Sequence, residues 1–177
     1  LIPGRNVRYS GSSADYILKH GGHLQTSTML MNRELARSVG FPREVRKFQD
    51  WDFVIRAEIA GFRIGYLGDR LSVYHFGHGG QMTGRPNPQA VKEFISGLDG
   101  RLLPDTLYFA LTRTLARTEI ESGMLMAGFR TFASACASNR RFDPTGFLKL
   151  VRKSFISASE GWRHRLGVLG SPGRWIQ

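Results

Sequence analysis

The chain has 177 residues, with 25 Lys and Arg against 14 Asp and Glu, for a formal net charge of +11; 41% of residues are hydrophobic and 22% charged. That length suits one domain with a sizeable core, and the balance is that of a globular protein rather than a disordered or fibrous chain. No run nears the ~18 apolar residues of a membrane span, and the single cysteine, Cys136, excludes an internal disulfide and reads as core.

The opening Leu1-Ile2-Pro3-Gly4 reads as mid-loop, so a piece of a longer protein is expected. Ser12 and Asp15 form a capping-box pattern before Tyr16-Ile17-Leu18, and Gly21-Gly22 stop that helix. Residues 24–31, with Thr26 and Thr28, are expected as a strand. Asn32 then caps a short helix over 33–39 that ends at Gly40.

The stretch Phe48-Gln49-Asp50-Trp51-Asp52-Phe53-Val54-Ile55-Arg56 leads into a buried helix closed by Gly61. Asp50 and Asp52 fall in its first turn, where the helix dipole and free N–H groups favour ionised carboxylates. The spacing lets Asp50 cap the helix and Asp52 pair with Arg56, four residues on. It equally lets Asp50 project into a cleft and accept a hydroxyl proton.

Two strands are expected at 63–67 and 71–76, around the turn Gly68-Asp69-Arg70, followed by the glycine-rich run His75-Phe76-Gly77-His78-Gly79-Gly80. From residue 89 the pattern turns helical. Helices are expected over 89–98, from Pro104-Asp105, over 120–137 with Met124, Phe129, Phe132 and Ala133 inward, and from Asp143-Pro144 with Phe147, Leu148, Val151 and Phe155 inward. From Ala137 onward eight cations (Arg140, Arg141, Lys149, Arg152, Lys153, Arg163, Arg165, Arg174) face two acids. Such a surplus favours phosphate-bearing partners. No zinc-finger spacing, ribonucleoprotein motif or helix-turn-helix stands out, so a solvated basic face is the first explanation, an anionic membrane surface the second and nucleic acid the third.

Gln49-Asp50-Trp51-Asp52-Phe53 with Arg56, Gly61 and Arg63-Ile64-Gly65-Tyr66-Leu67 resembles the acidic motif region of family 2 glycosyltransferases of the GT-A fold. Upstream, Gln25-Thr26-Ser27-Thr28-Met29-Leu30-Met31-Asn32-Arg33 resembles the family's strand and turn before the base, so the likeness runs over residues 9–85. It implies an α/β fold: a partial GT-A-type, Rossmann-like mixed sheet with flanking helices, then an α-helical C-terminal extension. The division it suggests is an acceptor-side half over 1–88 and a helical extension with a basic tail over 89–177.

The resemblance implies Asp50 as catalytic base, with Gln25, Ser27, Gln49, Trp51, Asp52 and Arg56 lining the acceptor and donor site. His78, a better fit than His75, would be the metal ligand, and the cofactor Mg²⁺ or Mn²⁺. The implied partners are a nucleotide-sugar donor and a glycan or lipid-linked acceptor. The implied setting is cell-surface glycan or glycolipid synthesis in the bacterial cytoplasm, peripheral to the inner face of the membrane. Neither a nucleotide-binding first half nor an Asp-x-Asp ahead of Asp50 is present in these residues. From another class comes a competing expectation, a non-catalytic basic helical module that binds anionic membrane or nucleic acid.

Overall fold

The computed structural model describes residues 11–42, 47–67, 86–98 and 100–165, with side chains through residue 157. Helix α1 (Asp15–Lys19) is a π-helical turn: His20 N–H reaches Asp15 O at 3.0 Å, and the Ser12 hydroxyl accepts from Asp15 N–H at 3.3 Å, as the capping pattern predicts. Gly21, at φ +69, turns the chain out of it. Helix α2 (Arg33–Val39) starts where Asn32 Oδ1 accepts from Leu35 N–H at 2.8 Å and stops at Gly40, φ +62.

Helix α3 (Gln49–Ile59) buries Asp52, Phe53, Val54, Ile55 and Ala57, and Gly61 follows it at φ +90. Helix α4 (Pro88–Gly97) opens on Asn87, whose side chain accepts from Ala90 N–H at 3.1 Å. The next helix, α5, spans 104–121 in three unbroken stretches: Pro104–Phe109, a π-helical Ala110–Leu115 and Ala116–Glu121. Gly123, at φ +84, separates it from α6 (Leu125–Ser138), and α7 (Pro144–Arg165) closes the described chain.

The expected α/β architecture is therefore corrected, because every regular element among the described residues is helical. Where a strand was expected over 24–31, Thr26–Thr28 make a tight 3₁₀ turn. The Thr28 hydroxyl donates to Gln25 O at 2.8 Å, a local bond that competes with a ladder. Residues 63–67 take no regular structure, and Tyr66 and Leu67 stand exposed. A β-segment gains its stability from a paired neighbour, and no described segment supplies one. The strand expected over 71–76, the glycine-rich run and both of its histidines lie outside the described residues.

One apolar cluster joins Ile17 and Leu18 of α1, Ile55 of α3, Val91, Phe94 and Ile95 of α4, Leu98, and Ala110 and Leu115 of α5. A second packs Ala116 and Ile120 against Phe132 and Leu150, with Phe129 and Cys136 at its border. Five inward assignments change, in two of the expected helices. Met124 and Ala133 are exposed, because the chain turns at Ser122–Gly123 and restarts the helical phase at Leu125. On α7, Phe147, Leu148 and Phe155 are exposed, and among its described side chains Leu150 instead is the buried one.

Gly128 sets the approach of α6 to α5. A Cβ there would stand 2.5 Å from Ile120 Cγ1 and 2.7 Å from the Ala116 carbonyl oxygen. A backbone oxygen has little room to yield. Gly128→Ala is thus expected to cost about 1–3 kcal/mol of overpacking, more than the ~1 kcal/mol that Ala gains in helix propensity. Urea denaturation checks this, and a midpoint equal to or above the parent's would refute the close contact.

Candidate active site

The motif acids sit at the start of α3, where the chain enters through Phe48 in the left-handed region, φ +66. An aromatic residue at positive φ needs support from its surroundings. The Phe48 ring has it, with centroids 4.7 Å from Trp51 and 5.4 Å from Phe94. Phe94 lies on α4, so α4 fixes the direction in which α3 begins.

Asp50 is half-buried just beyond this aromatic anchor. The N-cap position belongs to Phe48, not to Asp50, whose Oδ1 accepts from Trp51 N–H at 3.0 Å. Burial is the largest influence on its carboxyl and raises the pKa above the usual aspartate range. The N–H groups of Trp51 and Asp50 itself, and the nearby His23, pull the other way without overcoming it. The helix start therefore does not lower this pKa, as its dipole alone would. A carboxylate short of solvent is a stronger proton acceptor than an exposed one.

Asp52 projects to another side of α3 and serves a different purpose. Its Oδ2 accepts from Arg56 Nε at 2.5 Å, the pairing that the spacing predicts. The same guanidinium donates to the carbonyls of Val39 at 2.9 Å and Gly40 at 3.0 Å, closing the C-terminal end of α2. Asp52 and Arg56 thus lock α2 to α3. Phe41 stacked on Phe53, with centroids 4.4 Å apart, reinforces that join.

Of the remaining expected site residues, Gln49 and Trp51 flank Asp50 on α3, whereas Gln25 and Ser27 belong to the segment around the 3₁₀ turn. Trp51 is half-buried against Phe48 and Phe94, and Gln49 is half-buried at the first position of α3. Gln25 is half-buried before the 3₁₀ turn, and Ser27 is exposed within it. His75 and His78 lie outside the described residues. Among those described, no three or more His, Cys, Asp or Glu side chains gather as metal ligands. Asp52 is already committed to Arg56.

Sequence reasoning missed two features. His23 comes near Asp50 from a loop 27 positions earlier, a proximity that no local pattern encodes. A cleft of about 660 Å³ also opens beside Trp51, between α1, the middle of α5 and α7. Its one sequence signal was the basic rows Arg113/Arg117 and Lys149/Arg152/Lys153, spaced to share helix faces.

No family model matches the chain, and no solved structure matches it significantly. Over 75 residues it is 33% identical to the amylovoran biosynthesis glycosyltransferase AmsB of Erwinia amylovora. The matched stretch is 42% of this chain and 25% of that protein, so the chain spans about a quarter of the relative's length. A glycosyltransferase relationship is supported to that extent. Among the described residues, no helix is long and apolar enough to cross a membrane.

Proposed function

We propose that this chain is part of an inverting, family 2-like glycosyltransferase that moves a sugar from a nucleotide-sugar donor to an acceptor hydroxyl, in cell-surface polysaccharide synthesis. The observation that carries the reading is the similarity to a glycosyltransferase. Among the motif acids, Asp50 is the one left for chemistry, since Asp52 is held by Arg56.

In this mechanism an Asp50 carboxylate oxygen takes the proton of the acceptor hydroxyl. The hydroxyl oxygen forms a bond to the anomeric carbon as the bond to the diphosphate breaks, and the electron pair leaves with the diphosphate. Attack from the opposite face inverts the anomeric centre. Trp51 and Phe48 hold the helix start, so the carboxylate keeps its position while it gains and loses the proton. Mg²⁺ or Mn²⁺ at the diphosphate belongs to the same proposal, its ligands to be sought outside the described residues.

The test is a donor panel. The intact protein, given nucleotide sugars and an acceptor extract, should release nucleoside diphosphate and form a product of inverted anomeric configuration. Retention of configuration would remove Asp50 as base. No turnover with any donor would remove the transferase reading.

A further inference from the structure

The cleft beside Trp51 has a charge pattern that the transfer reading does not use. Lys19 comes from α1, Arg113 and Arg117 from α5, and Lys149, Arg152 and Lys153 from α7; among the described residues, Glu121 is the one carboxylate in its lining. Four of the six cations are paired. Lys19 meets Asp105 at 2.5 Å, Arg113 meets Asp143 at 3.1 Å, and Arg117 and Lys153 share Glu121 at 2.9 and 2.8 Å. Lys149 and Arg152 make no ion pair with a described carboxylate, although both line the cleft. Two cations that no described carboxylate bridges, lining one concavity with more cations held beside them, form a site of positive potential focused by low-dielectric walls.

The rest of the wall mixes apolar side chains with His20, Thr112, Thr114 and Thr118. Leu18 and Leu150 are buried at 2% and 3% exposure, and Trp51 and Ile156 border the same space. Both π-helical stretches, α1 and Ala110–Leu115, contribute lining residues. Such stretches recur at functional sites, where the widened turn departs from ordinary helical packing. Thr112 and Thr114 on the second stretch also line the cleft.

The geometry points to a binding site for a phosphoryl-bearing amphiphile: a phosphate or diphosphate head held by Lys149 and Arg152, with an apolar chain against Trp51 and Ile156, accessible apolar side chains of the lining. The head accepts charge-assisted hydrogen bonds, which Arg makes in a bidentate fork and Lys as a point charge. The chain replaces water on the apolar wall. This site rests on the cleft alone and stands whether or not Asp50 is a catalytic base.

The experiment is titration calorimetry of the 177-residue chain with octyl phosphate below its micellar concentration, inorganic pyrophosphate, and octanol as the uncharged probe. Octyl phosphate should bind saturably and more tightly than either other probe. Lys149→Gln with Arg152→Gln should weaken it by on the order of tenfold for each charge-assisted bond lost. Both side chains are exposed and make no ion pair with a described carboxylate, so this variant should fold; unchanged circular dichroism checks that. Arg33→Gln with Arg37→Gln on α2 is the matched control and should leave binding unchanged. Binding that falls equally in both variants would reduce the site to general charge attraction and overturn it. Pyrophosphate binding as tightly as octyl phosphate would overturn the apolar half. No saturable binding of either phosphate would overturn the whole.

Discussion

Replacing Asp50 with Asn should abolish most of the transfer activity of the intact protein while leaving its stability equal or improved. Asn keeps the size and an Oδ1 able to accept from Trp51 N–H, so the start of α3 persists. What it lacks is a proton-accepting carboxylate. The turnover loss expected for a general base is on the order of 10²–10⁴-fold, with little change in donor affinity.

The stability half follows from the direction of the Asp50 shift. Its carboxyl pKa is raised in the folded chain, first by burial, so the folded state holds that proton more tightly than the unfolded chain does. The stability this contributes is fully present below the ordinary aspartate range and is lost as pH rises through the raised value. At neutral pH the buried charge is a net cost, which Asn removes. Wild-type activity should run opposite to that contribution, rising with pH through the raised value as the base ionises. Activity and melting temperature measured side by side separate the two roles. A variant with near wild-type turnover would end the assignment of Asp50 as base, and one that melts much lower would show that the carboxylate holds the fold.

The helix signals written within a few residues of one another were legible. Asn32 accepts from Leu35 N–H, Asp143 accepts from Gly146 N–H at 2.9 Å before α7, and Asp52 finds Arg56 one turn away. Each depends on one turn of backbone, so spacing alone determines it. The strands were a different kind of expectation. Thr26 and Thr28 favour extended backbone only as part of a paired surface, and without a partner the local hydroxyl bond to Gln25 O prevails. The cleft drew on residues 17–21, 112–121 and 146–156 together, and His23 near Asp50 is likewise a tertiary fact. Helical periodicity also misplaced Phe155, which is 71% exposed although it shares the spacing of a core position. Spacing marks a face of a helix; what covers that face depends on its neighbours.

Arg56 should prove the most sensitive structural residue of the motif. Its guanidinium holds three acceptors: the Asp52 carboxylate and the carbonyls of Val39 and Gly40. The Asp52 side chain is only 5% exposed, whereas that of Arg56 is 23% exposed. The two partners are therefore unequal when one is removed. Arg56→Met leaves a nearly buried carboxylate without its cation and two carbonyls at the end of α2 without their donor. Breaking such a pair from this side is expected to cost about 3–5 kcal/mol, a large fraction of a typical domain's stability. Asp52→Asn is milder, because its Oδ1 can still accept from Nε, and Arg56 retains both carbonyls and a path to water. A loss of about 1–2 kcal/mol is expected there. Combining the two changes removes the uncompensated charge, so the double variant should be more stable than Arg56→Met alone. The coupling should be on the order of 1–3 kcal/mol. Chemical denaturation of the four proteins closes the cycle. Equal losses for the two single variants would refute this asymmetry, and a loss below about 1 kcal/mol for Arg56→Met would show that α2 and α3 are joined by the Phe41–Phe53 stack instead.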